Sequence, residues 1–89
     1  MTPLQQRAKA FLEMSIPDEL VPNYVPGSIA DMMIGNYVVG TELDNEALAL
    51  IEISSMESEA AADRYTTADA KAYFRECAAI LSAIAEEIG

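Results

Sequence analysis

Histidine and tryptophan are absent from this sequence, and cysteine occurs once. Without histidine, no side chain titrates near neutral pH unless its surroundings shift it far. Serine–histidine and cysteine–histidine catalysis therefore lack their base. Zinc centres draw on several His or Cys ligands, and di-iron bundles need a Glu-x-x-His motif, so neither fits. A lone Cys permits no intrachain disulfide and points to a reducing compartment. Glycine is scarce as well: four residues, scattered singly, offer no loop that could cradle a phosphate. Ser28 follows Gly27 rather than the Asp that precedes the modified serine of carrier proteins. No two acids stand three residues apart, which removes the Glu-x-x-Glu pairs that hold magnesium on the helices of all-α nucleotide pyrophosphatases. The expectation is a protein with no enzymatic activity, no cofactor and no metal.

Basic residues are also few. Five face fifteen acids, for a net charge of −10 at pH 7. Such a surface repels nucleic acid and anionic membranes and favours a partner with a basic surface. No apolar run approaches the roughly 20 residues of a membrane span. The start, Met1-Thr2-Pro3-Leu4-Gln5-Gln6, shows no apolar signal core, so the expected location is the cytoplasm of a cell or an infected host. Apolar residues make up 52% of the chain, enough for a core in a single helical domain spanning 1–89.

Local signals place the helices. Thr2, Pro3 and Gln5 have the spacing of a capping box with proline at the first helical position. Leu4, Ala8, Phe11 and Leu12 then share a face, and the helix is expected to end near Met14 or Ser15, before Pro17. Residues 15–27 carry Pro17, Pro22 and Pro26-Gly27, which forbid one continuous helix. Ile16, Leu20, Val21, Tyr24 and Val25 nevertheless suit packing on a core, with a single turn at Asp18-Glu19-Leu20. Ser28 and Asp31 mark a second helix start. This helix is expected to end near Gly40, although Tyr37-Val38-Val39 has strand character.

Two longer helices follow, at about 44–65 and 67–88. Asp44 begins the first, with Leu43 and Leu48 at the spacing of a hydrophobic staple. In the second, Ala70, Phe74, Cys77, Leu81, Ile84 and Ile88 recur at alternating intervals of four and three, the seam of a left-handed helix pair, and Tyr73 and Ile80 widen it. At about 1.5 Å per residue each helix is near 30 Å long. The fold class is thus all-α, a small helical bundle. It is built on a long antiparallel hairpin hinged at Tyr65-Thr66-Thr67, with the N-terminal helix and the Pro-rich connection packed across it. One unbroken helix through Thr66 and Thr67 is the rival arrangement.

The helix expected over 44–65 is apolar on two sides. One face holds Ala47, Leu48, Leu50, Ile51, Ala61, Ala62 and Tyr65, with Ser54, Ser55 and Ser58 in its middle. The opposite stripe holds Ala49, Ile53, Met56 and Ala60. Glu52, Glu59 and Asp63 line one boundary between them; Glu46, Glu57 and Arg64 line the other. A helix apolar on two sides has neighbours on two sides. The second neighbour is a sister chain, which makes the protein a homo-oligomer with a dimer favoured, or it is a target.

Three constellations bear on function. Glu52, Glu59 and Asp63 with Met56 and Ile53 form a candidate partner-binding surface, on which a row of carboxylates could imitate a nucleic-acid backbone. The plain alternative is a solvated helix flank. Arg64, Tyr65, Thr66, Thr67 and Lys71 gather at a helix start, where backbone N–H groups, hydroxyls and cations suit an anion. There the plain alternative is a threonine cap with surface ion pairs. Arg7 and Lys9 of a neighbouring subunit are further candidates for that site. Tyr24, Tyr37, Tyr65, Tyr73, Met32, Met33 and Met56 are residue types found at binding surfaces, but most suit the core, with Met56 the exception. Cys77 belongs to the seam.

The leading expectation is a non-enzymatic acidic interaction protein that binds and inhibits or regulates another macromolecule. Phages and mobile elements use small acidic proteins of this kind against host defences. The alternatives are a binding protein that sequesters a nucleotide or similar anion, and a structural subunit of a larger assembly.

Overall fold

The computed structural model describes residues 1–23 and 28–89, apart from the side chain of Asn23. Tyr24, Val25, Pro26 and Gly27, expected to help cover the core, lie outside the described residues. Among the described residues four α-helices follow one another: α1 (Pro3–Glu13), α2 (Ile29–Val38), α3 (Asn45–Ala62) and α4 (Ala68–Ile88), with a short 3₁₀ turn at Val21–Asn23 between the first two. The bundle measures 35 × 23 × 20 Å. Among the described residues no helix is long and apolar enough to cross a membrane.

The start of each helix is written in its cap. Thr2 and Gln5 bond reciprocally, the Thr2 hydroxyl accepting from Gln5 N at 3.2 Å and Gln5 Oε1 accepting from Thr2 N at 2.9 Å. Ser28 accepts from Asp31 N at 3.3 Å, and Asp44 from Ala47 N at 2.8 Å. Thr67 accepts from Ala70 N at 3.2 Å. Each side chain satisfies one of the donors that a helix start leaves without an intrahelical partner.

The end of α2 explains why the strand signal of Tyr37-Val38-Val39 does not prevail. Thr41 N donates to Asn36 O at 2.9 Å and Gly40 N to Tyr37 O at 3.2 Å, with Gly40 at φ +81°. This pair of bonds is a Schellman closure, and the left-handed residue it needs is a glycine. The helix expected over 44–65 stops earlier, at Ala62. Lys71 reaches back from α4 to donate to the Ala62 carbonyl at 3.1 Å, so the connection spans Asp63–Thr67 rather than three residues. Between α1 and α2, Leu20 N donates to Pro17 O and Val21 N to Asp18 O, giving the expected turn at 18–20.

The pairs that join α3 and α4 run in opposite directions along the two helices. Lys71 meets Ala62, Cys77 meets Ser58, Ala78 and Ser82 meet Ser55, and Gly89 approaches Leu48. The hairpin is therefore antiparallel, and the rival of one unbroken helix is overturned by the break at Asp63–Thr67. Small side chains dominate its seam: Ser54, Ser55, Ser58 and Ala62 from α3, and Ala70, Cys77 and Ala78 from α4, are all buried. Their hydroxyls are not orphaned. Ser55 Oγ donates to the Ala78 carbonyl at 3.0 Å and shares a 2.7 Å hydrogen bond with Ser82, and Ser58 Oγ donates to Cys77 Sγ at 3.5 Å.

The apolar core sits between this hairpin and the first two helices. Ile34, Ile51, Ile80, Leu81 and Ile84 are fully buried within it. Phe11 of α1 rests on Tyr73 with ring centres 4.9 Å apart, and Tyr73 meets Phe74 edge-on at 5.6 Å, both favourable ring geometries. Leu12 and Leu50, expected on inward faces, instead lie at their edges and remain exposed.

Candidate functional site

The stripe of Ala49, Ile53, Met56 and Ala60 faces away from the core. All four residues are exposed, with Ile53 at 52% and Met56 at 71% of full exposure. The cause is periodicity. At about 100° per residue these positions fall opposite Ile51, Ser55, Ser58 and Ala62, the buried side on which α3 packs against α4 and α2. Glu52, Glu59 and Asp63 are exposed along one edge of the stripe, and Glu46, Glu57 and Arg64 along the other. The structure thus brings together all five residues of the expected partner-binding surface: Glu52, Ile53, Met56, Glu59 and Asp63.

It adds one that the sequence pattern did not single out. Arg75 of α4 lines a groove of ≈ 480 Å³ with Met56, Glu59, Ala60 and Asp63. The antiparallel register explains its place: where Cys77 meets Ser58, Arg75 stands level with Ala60. Pairing the seam of α4 with α3 would have found it. The acid row is therefore interrupted at its C-terminal end by one cation.

The expected anion site at the hinge is already filled from within. The carboxylate of Glu19, from the turn before α2, sits on the start of α4. Thr66 N and Thr67 N donate to it at 2.9–3.2 Å, and both threonine hydroxyls donate as well, at 2.7 and 2.9 Å. These donors favour the charged form. The bond from the Thr67 backbone leads, with those of the Thr66 hydroxyl and the rest adding, and the Glu19 carboxyl is held at about 2 against an ordinary 4.5. The other members of the expected site are engaged elsewhere. Tyr65 stacks on Phe74 at 5.2 Å and Lys71 closes the end of α3. Arg64 lines a cleft with Ser28, Ile29, Glu57 and Phe74. Arg7 forms a two-pronged pair with Glu76 at 2.9 and 2.6 Å, which lowers the Glu76 carboxyl, and Lys9 pairs with Glu13 at 3.9 Å.

Cys77, Tyr37, Met33 and Tyr73 belong to the packed interior. Burial pushes the Cys77 thiol up, against a smaller opposite effect of the Ser58 hydroxyl, so it is a poor nucleophile. Tyr37 is buried and its hydroxyl donates to Glu87 at the end of α4; desolvation, then that bond, raises its pKa. Met33 and Tyr73 are in the core, whereas Met32, like Met56, is exposed. Tyr24 lies outside the described residues. Among the described residues no group of acids or cysteine is arranged to hold a metal ion. The chain matches no known protein family, no curated protein and no solved structure.

Proposed function

We propose that the chain is a non-enzymatic binding module that engages the basic surface of another protein through the outward face of α3, and inhibits or regulates that protein. The observation that supports this reading is the exposure of Ile53 and Met56 beside Glu52, Glu59 and Asp63. Apolar residues held in water on a rigid helix lose free energy when covered, by roughly 25 cal/mol per Å². The carboxylates beside them select a cationic cover and speed its approach. The nucleotide-binding alternative loses support because Glu19 takes the donors at Thr66 and Thr67 that an exogenous anion would need.

Charge reversal tests the reading. The triple variant Glu52→Lys, Glu59→Lys, Asp63→Lys alters exposed positions and is expected to keep its helix content and melting temperature. In affinity capture from the chain's own cellular source, the wild type should retain a partner that the variant loses. Identical captured sets for the two proteins would overturn the proposal.

A further inference from the structure

The outward stripe of α3 has the periodicity of one half of a helix pair. Ala49, Ile53, Met56 and Ala60 are spaced four, three and four, the alternation of core positions in a left-handed two-helix seam. α4 cannot supply the other half, because it is already joined to the opposite face through Ser55 and Ser58. The flanks carry charge at the positions that face a partner in such a seam. Glu52 and Glu59, seven residues apart, lie on one side; Glu57 and Arg64, also seven apart, lie on the other.

From this arrangement, and resting on the partner-binding reading above, we infer that the occupant of the α3 face is an amphipathic helix of another protein, with apolar core positions and lysine or arginine along its edges. A second copy of this chain fits poorly. In an antiparallel self-pair centred between Ile53 and Met56, Glu52 meets Glu59 of the sister helix and Glu46 meets Asp63. In a parallel pair, Glu52 faces Glu57 and Asp63 meets its own counterpart. Like charges at these positions oppose association, and the net charge of −10 opposes it further. A basic helix turns the same contacts into attractions, while the alanines at the two ends of the stripe let the backbones approach. Among the described residues Arg75, beside Glu59 and Asp63, is the one cation lining the groove and opposes a basic occupant there.

The probe is a designed peptide of about three heptads with isoleucine and leucine at core positions and lysine on both flanks, labelled for fluorescence anisotropy. Two controls accompany it: the same composition with its heptad order scrambled, and the heptad peptide with glutamate flanks. The ordered basic peptide is expected to bind in the micromolar range, about tenfold or more tighter than either control. Ile53→Asp with Met56→Asp should abolish binding while circular dichroism stays unchanged. Arg75→Glu should strengthen it several-fold, an effect that shrinks as salt is raised. Equal binding of ordered and scrambled basic peptides overturns the helical occupant but leaves a basic partner standing. Failure of every basic peptide, with sedimentation showing a dimer that Met56→Glu dissociates, overturns it in favour of a second copy. Failure of every peptide with a monomeric protein overturns both the helical occupant and the reading beneath it.

Discussion

The two faces of α3 differ in composition less than in what surrounds them. Inward, Ile51, Ser54, Ser55, Ser58 and Ala62 are buried where α3 packs against α4 and α2, and the hydroxyls of Ser55 and Ser58 are spent on Ala78, Ser82 and Cys77. Outward, Ala49, Ile53, Met56 and Ala60 are wholly apolar but stand in water. The more polar face is the buried one. Small hydroxyl side chains suit a tight antiparallel seam because they allow close approach and their hydrogen bonds can be completed there. Among the described residues nothing else in the chain packs on the bulk of the outward face, and the partner helix proposed above would cover it.

Substitutions that touch one face and spare the other sharpen this contrast. The largest effect belongs to Ile51→Ala. It empties a fully buried position and is expected to cost about 2–5 kcal/mol, read as a large fall in the denaturant midpoint. Ser55→Val follows, at roughly 1–3 kcal/mol. It removes the hydroxyl bonded to the Ala78 carbonyl and to Ser82 and adds a methyl group at a buried position. On the outward side, Ile53→Ala and Met56→Ala should each change stability by no more than about 0.5 kcal/mol, yet weaken binding of a basic helix. A loss of stability at Ile53 comparable to that at Ile51 would erase the distinction between the faces.

The hinge gives a contrast of its own, read in pH rather than in partner binding. Glu19 is held at about 2 against an ordinary 4.5, so the folded state binds this proton less readily than the unfolded chain. Its contribution to stability is complete above pH 4.5 and is lost as pH falls toward 2. Glu19→Gln should therefore melt lower than the wild type at neutral pH, and its melting temperature should decline less steeply across that acidic window. The Glu76 carboxyl, also lowered by Arg7, keeps a residual acid dependence in the variant. Parallel pH profiles for the two proteins would mean that Glu19 does not hold the turn to α4.

The helix starts were legible because caps are local. Thr2 with Gln5, Ser28 with Asp31, Asp44 and Thr67 each act within three residues of themselves. The seam of α4 was legible for a similar reason, since its spacing repeats over the whole helix. The filling of the hinge was not. Glu19 stands 47 and 48 residues from Thr66 and Thr67, and nothing in a run of prolines announces that its one turn will aim a carboxylate at a distant helix start. Thr66 and Thr67 do hold an anion, and it belongs to the chain itself. The end of α3 was similarly hidden, because no glycine or proline marks Ala62 and the group that closes it comes from Lys71. Arg75 was missed because its neighbours on α3 follow from the register of the hairpin, which no single helix contains.

The claim that one face of α3 holds the fold while the other receives a partner is tested most directly by nuclear magnetic resonance, titrating isotope-labelled protein with the ordered basic peptide. The account predicts shift changes concentrated at Glu52, Ile53, Met56, Glu59, Ala60 and Asp63 and at Arg75 across the groove, with Ile51, Ser55 and Ser58 little changed. Changes centred instead on Thr66 and Thr67, or spread evenly over every acidic residue of the surface, would contradict it.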